Sequence, residues 1–137
     1  MRSTSNSSLL IGLLAVLAGC PSSTTSYPGQ CMVDQECNSD QVCARDESCA
    51  SPAGLRDLYV NWTIDGVAPT TASCQRIGDL SLNFVNNNEG EDIGFEPVPC
   101  NLGTYHIDKM PPSYIGASIG NGRAYAFDSG GMVTIPL

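Results

Sequence analysis

Seven cysteines in a chain of 137 residues constrain its folding more than any other feature. Four of them, Cys31, Cys37, Cys43 and Cys49, repeat as C-x5-C-x5-C-x5-C, while Cys74 and Cys100 stand apart downstream and Cys20 upstream. The residues between the four close cysteines include Asp34, Glu36, Asp40, Asp46 and Glu47 and almost no large apolar side chains. Such a segment has no core to fold around, so covalent bridges must order it. Four cysteines allow three connectivities. Zinc binding is the competing use of four thiols, but zinc sites favour closer pairs such as C-x2-C. An odd total is awkward for an oxidised, exported protein unless one cysteine is spent on something else.

The N-terminal segment supplies that use. Residues 1–8 are polar with one positive charge, Arg2, and residues 9–18 (LLIGLLAVLA) are apolar. Ten apolar residues fall far short of the roughly 20 that a membrane-spanning helix needs, and they sit where the apolar centre of a signal peptide belongs. The run ends in Leu17-Ala18-Gly19-Cys20, which resembles the lipobox of bacterial lipoproteins at all four positions. The resemblance implies removal of residues 1–19, a diacylglycerol thioether on Cys20, and acylation (palmitate is typical) of the new N-terminus. Two or more chains make such anchoring stable where one is marginal. With Cys20 lipidated, Cys31, Cys37, Cys43, Cys49, Cys74 and Cys100 can all pair, Cys74 with Cys100 being the natural remaining couple. No later stretch is long and apolar enough to span a bilayer as a helix.

Residues 20–30 read as the lipidated N-terminus and a flexible tether, because PSSTTSYPGQ is rich in Ser, Thr, Pro and Gly. No aspartate follows Cys20, which in a cell with two membranes resembles cargo sent on to the outer one. The formal charge of −8 becomes −9 once Arg2 is removed. Such an acidic chain lacks the basic footprint of a nucleic-acid binder. It is also repelled by anionic head groups, so lipid rather than surface charge must hold it at a membrane.

Residues 31–54 form the cysteine-rich module, and from position 55 onward the pattern changes to that of a mainly β domain spanning 55–137. Leu58, Val60, Trp62 and Ile64 alternate with Tyr59, Asn61 and Thr63, the period of a half-buried strand. Leu80, Leu82 and Phe84 repeat it, as do Ile115, Ala117 and Ile119. Shorter strands are expected over 94–98, 105–107, 124–127 and 132–135. Asp65-Gly66 and Asn121-Gly122 are hairpin-turn dipeptides. No window of ten or more residues has helical periodicity. About seven short strands in this length predict an antiparallel β-sandwich, preceded by the small disulfide-stapled module.

Several short motifs carry a second resemblance. Trp62, Asp65-Gly66, Ala72-Ser73-Cys74, Cys100-Asn101-Leu102-Gly103 and Met110-Pro111-Pro112-Ser113-Tyr114 are together similar to a family of short bacterial lipoprotein domains, and the last of them is similar to a strand entry of transthyretin-like or carboxypeptidase-regulatory-like sandwiches. The chain departs from that pattern at Ser113, where glycine is usual. The resemblance implies a non-catalytic domain. The close cysteines resemble small interleaved cysteine modules, and that likeness implies Cys31–Cys43 with Cys37–Cys49.

The residues offer little for catalysis. His106 is the single histidine; it could pair with Asp108 or a serine in a hydrolase, because triad members converge only in space. No G-x-S-x-G elbow or glycine-rich phosphate loop accompanies it, and a half-exposed strand histidine is the simpler reading. With the cysteines oxidised or lipidated, no thiol nucleophile remains, and one histidine argues against a catalytic zinc. The loop Asn86-Asn87-Asn88-Glu89-Gly90-Glu91-Asp92 offers many oxygens to calcium, as more remotely do Asp34, Glu36, Asn38 and Asp40, but neither has EF-hand spacing. Trp62 shares its phase with Leu58 and Val60 and is expected in the core rather than on a ligand platform. Tyr114, Tyr125 and Phe127 are read as strand packing, and Asn61-Trp62-Thr63 as a chance glycosylation sequon.

The expectation is therefore a lipid-anchored envelope protein, on the outer membrane, acting as a non-catalytic binding or structural module. It would have a membrane partner through its lipid, an envelope or extracellular protein or glycan partner, no nucleic-acid partner and no cofactor or metal. Its loops at 86–92 and 128–131 are the candidate binding surfaces. The alternatives are an envelope hydrolase using His106 and a calcium-dependent adhesion module.

Overall fold

The computed structural model of the chain describes residues 30–88 and 91–137. The apolar leader, Cys20 and the tether up to position 29 lie outside the described residues, as do Glu89 and Gly90 of the acidic loop.

The cysteine-rich module has little regular structure. A 3-10 turn at Asp34–Glu36 precedes two short strands, β1 (Val42–Cys43) and β2 (Cys49–Ala50), paired antiparallel with Cys43 opposite Cys49. Disulfides Cys31–Cys43 and Cys37–Cys49 tie the turn to this ribbon, with Cα separations of 5.7 and 5.5 Å. A two-stranded ribbon is marginal by itself in water, so the interleaved bridges order the segment, as its composition requires. The zinc alternative falls here, since all four sulfurs are bonded in pairs.

A second 3-10 turn, Pro52–Gly54, leads into the sandwich. Its strands are β3 (Arg56–Thr63), β4 (Leu80–Asn86), β5 (Ile93–Val98), β6 (Thr104–Met110), β7 (Tyr114–Ile119), β8 (Tyr125–Ala126) and β9 (Met132–Pro136). They form a three-stranded sheet in the order β6-β3-β9 and a four-stranded sheet in the order β5-β4-β7-β8. The seven strands foreseen beyond position 55 are all present. Among the described residues every pair is antiparallel except β3 with β9, which run parallel with Val60 beside Val133.

The sheets bury one face each against the other. Leu58, Val60 and Trp62 of β3, with Ile107, Met110, Val133 and Ile135, face Leu80, Leu82 and Phe84 of β4, with Val98, Tyr114 and Ala117. Fully burying a side chain of this kind contributes about 1.5–3 kcal/mol, and period-2 alternation delivers such residues to one side only. Phe84 lies at the aromatic centre, edge-on to Phe95 and stacked with Phe127. Trp62 is 2 % exposed and donates its indole N–H to the Cys100 carbonyl at 2.7 Å, so its polar edge is satisfied inside the core, as its phase predicts.

Three bulges adjust that alternation. On β7, Val85 pairs with Gly116 but Asn86 with Tyr114, which leaves Ile115 unopposed and turned to solvent. The inward phase expected for Ile115 is thus wrong: the extra residue lets both Tyr114 and Ala117 face the core. On β5 the register slips between Leu80–Val98 and Leu82–Phe95, a place that accommodates Pro97, which has no N–H to donate. On β6 the slip falls at Asp108 and Lys109, with Lys109 at φ 54°.

Turns complete the frame. Asp65 and Gly66 both have positive φ and join Ile64 to Val67, the conformation a type I′ turn demands. The second turn is displaced by one residue from the Asn121-Gly122 dipeptide. Gly122 donates to the Ile119 carbonyl, so Gly120, at φ 58°, and Asn121 are its central pair. At Pro111-Pro112-Ser113-Tyr114 the Tyr114 N–H reaches the Pro111 carbonyl and Ser113 keeps negative φ, so no glycine is needed there. A short helix, α1 (Thr71–Cys74), is capped by Thr70, whose hydroxyl accepts from the Ser73 N–H. Disulfide Cys74–Cys100 joins α1 to the 3-10 turn at Cys100–Leu102.

Candidate functional site

The described residues bring most of the foreseen site residues to one end of the sandwich, where the cysteine-rich module sits. The bulge in β6 builds the junction. Lys109 directs its ammonium to both carboxylate oxygens of Asp34 at 2.8 Å, and Asp34 also accepts from the Cys43 N–H at 2.9 Å. Arg45 donates its guanidinium to the Asp108 carboxylate and its backbone N–H to the Lys109 carbonyl. The Lys109 ammonium, ahead of the Cys43 N–H, holds the Asp34 carboxyl below the usual carboxylate range. The Arg45 guanidinium does the same to Asp108. This pairing was not legible in the sequence, because charged residues scattered at positions 34, 45, 108 and 109 show no periodicity.

His106 does not pair with Asp108. Two positions apart on a regular strand, the two would share a face, but the bulge turns Asp108 towards Arg45. His106 instead stacks on Tyr59, its register partner across β3, with ring centroids 4.5 Å apart. Its Nε2 lies 3.6 Å from the Asp57 carboxylate, which stands on the same face of β3 as Tyr59. Among the described residues no hydroxyl forms a hydrogen bond with His106.

The acidic loop folds back on itself. Asp92 accepts from the Asn86 N–H and Asn86 from the Asn88 N–H, both at 2.9 Å. Tyr114 donates its hydroxyl to the Glu91 carbonyl, and burial raises its pKa above the usual phenol value, with nearby Asp46, Asp92 and Glu91 adding to the effect. An open groove of about 460 Å³ runs between this loop and the module, with Asp46, Glu47, Asn86, Glu91, Asp92 and Tyr114 on its walls. The earlier acidic string is dispersed: Asp34 faces Lys109, Glu36 accepts from the Met32 N–H, and Asn38 bonds Gln41. Among the described residues, the one group of three or more His, Cys, Asp or Glu ligand atoms within 4.8 Å of one another is Cys31, Cys37 and Cys49. Those sulfurs are already spent in disulfides.

The loop at 128–131 uses its own carboxylate in the same way, Asp128 accepting from the Gly130 and Met132 N–H groups at 2.9 Å. Gly131 has φ 76°, and an added Cβ would lie 2.5 Å from the Asp57 carbonyl oxygen. Tyr114 is buried, and Tyr125 and Phe127 pack against the core, as expected of strand packing.

Comparison with protein-family models, with curated proteins and with solved structures returns no match to this chain. Among the described residues no helix is long and apolar enough to cross a membrane.

Proposed function

We propose that the chain is a lipid-anchored cell-envelope lipoprotein, carried on the outer membrane, whose two stapled modules form a non-catalytic binding or structural unit. One observation carries the reading. All six cysteines among the described residues pair with one another, and the seventh, Cys20, stands in the one sequence context, Leu17-Ala18-Gly19-Cys20, that calls for a free thiol. Disulfides at this density also fit an oxidising compartment. The pairing Cys74–Cys100 and the turn before Tyr114 fit the likeness to short bacterial lipoprotein domains, from which the non-catalytic role is taken. Both candidate loops, 86–92 and 128–131, lie at the same end as the tether-proximal module. The surface offered to an envelope protein or glycan would therefore combine loop and module.

The experiment is a non-reduced intact mass of the protein extracted from native membranes, with and without alkylation. The expected species begins at Cys20, carries lipid, lacks six hydrogens for three disulfides and takes up no alkylating agent. A soluble, unlipidated chain retaining residues 1–19 would overturn the anchoring. Turnover of an ester, peptide or glycan that disappears in His106→Ala would overturn the non-catalytic role.

A further inference from the structure

We propose that the cysteine-rich module is a hinged cap, held shut on the sandwich by the ion pairs at the β6 bulge and able to swing about residues 51–55 when they break. Among the described residues the apolar core is drawn from positions 58–135, and the module contributes nothing to it. Its attachment at the bulge is polar: Lys109 to Asp34, Arg45 to Asp108, and the Arg45 N–H to the Lys109 carbonyl. The two ion pairs are exposed, with side chains between 36 and 50 % accessible. Exposed pairs stabilise little and are screened by salt, so this contact is a soft join beside the apolar core of the sandwich. Inside the module the two disulfides are insensitive to salt, so the module moves as a body rather than unfolding.

The bulge itself favours a device over a chance contact. Lys109 adopts a left-handed backbone, costly for a residue with a Cβ, and the result is that successive side chains, Asp108 and Lys109, both reach the module with opposite charges. A regular strand would send them to opposite faces. The crossed signs admit one docking orientation and oppose the reverse. The charged groups around the join are Asp34 from the first 3-10 turn, Arg45, Asp46 and Glu47 from the turn after β1, Asp57 and Arg56 from β3, and Asp108 and Lys109 from β6. Opening separates Arg45 and Lys109 from their carboxylates and widens the acidic groove beside Tyr114.

Hydrogen exchange read by NMR tests this on the full chain carrying Cys20→Ser, exported so that its disulfides form. The Arg45 amide, bonded across the join, is the reporter; the Trp62 and Leu82 amides report on the sandwich. Raising salt from about 20 to about 500 mM should speed exchange at Arg45 several-fold and leave Trp62 and Leu82 unchanged, because the screening length shortens from about 20 Å to about 4 Å over that range. The double variant Arg45→Gln, Lys109→Gln should speed it at least tenfold at low salt and abolish the salt response. Arg45 exchange that ignores both changes, or rises only in step with Trp62, would overturn the cap. Neither outcome depends on lipidation, so failure here is distinct from failure of the membrane-anchored reading.

Discussion

Removing the disulfide of the sandwich, through Cys74→Ala with Cys100→Ala, tests how far this fold depends on covalent closure. The linked cysteines are separated by 26 positions, for which the chain-entropy relation predicts a loss of about 3.5 kcal/mol. Both side chains are also buried, at 9 and 3 % exposure, so removing the sulfurs leaves a void that adds to the loss. Cys100 is further tied to the core by its carbonyl, which receives the Trp62 indole N–H. A small domain has a total stability of only about 5–15 kcal/mol, so the variant should lie close to its unfolding threshold. Urea denaturation followed by Trp62 fluorescence gives the measurement. The midpoint should fall, and the slope should steepen because the unlinked denatured chain exposes more surface. The corresponding drop in Tm is roughly 15–25 °C. A loss below about 1 kcal/mol, with an unchanged slope, would refute the argument that the staple stabilises chiefly by restricting the unfolded chain.

Three further outcomes follow from the geometry. Trp62→Phe removes the buried donor to Cys100 and leaves a gap in the core, and it should cost about 2–4 kcal/mol in urea denaturation. Gly131→Ala places a Cβ 2.5 Å from the Asp57 carbonyl at φ 76°, and it should destabilise the sandwich by about 2 kcal/mol or more, read as a lower Tm in calorimetry. Asp34 and Asp108 are held below their ordinary value of 3.8, so their contribution is fully present above that value and disappears as pH falls through the lowered values. Exchange at the Arg45 amide should therefore stay slow from neutral pH down to about 4 and accelerate below it, beyond the intrinsic pH trend of an unprotected amide.

The strands of the sandwich were legible because alternation is a local property: Leu58, Val60 and Trp62, or Leu80, Leu82 and Phe84, disclose their buried face without knowledge of any partner. Asp65-Gly66 was legible for a similar reason, since both positions need positive φ. Bulges were not. Ile115 is as apolar as its neighbours, and only the pairing of β4 with β7 determines that it is the residue left over. The same holds for Asp108, whose distance from His106 in sequence gives no warning that the backbone turns between them. The turn at Gly120-Asn121 lies one residue before the Asn121-Gly122 dipeptide, because two glycines flank the asparagine and either one can supply the positive φ. Helix α1 is a single turn, too short for periodicity, although Thr70 and Ser73 carry a capping signature. The candidate loops were found by composition, but the use of Asp92 and Asp128 to close their own backbones required coordinates.

The parallel pairing of β3 with β9 bears on when this protein can fold. The first strand of the sandwich lies between β6 and the last strand, with Val60 beside Val133 and Trp62 beside Ile135. The central strand of that sheet therefore waits for residues at the far end of the chain, a high contact order that places the molecule among slow folders. During synthesis, which runs from the N- to the C-terminus, β3 emerges long before β9 and has nothing to pair with on that side. Completion of the sheet is thus the last event of folding, and the interval before it is when chaperones, oxidants and competing strands all have access to the same edge.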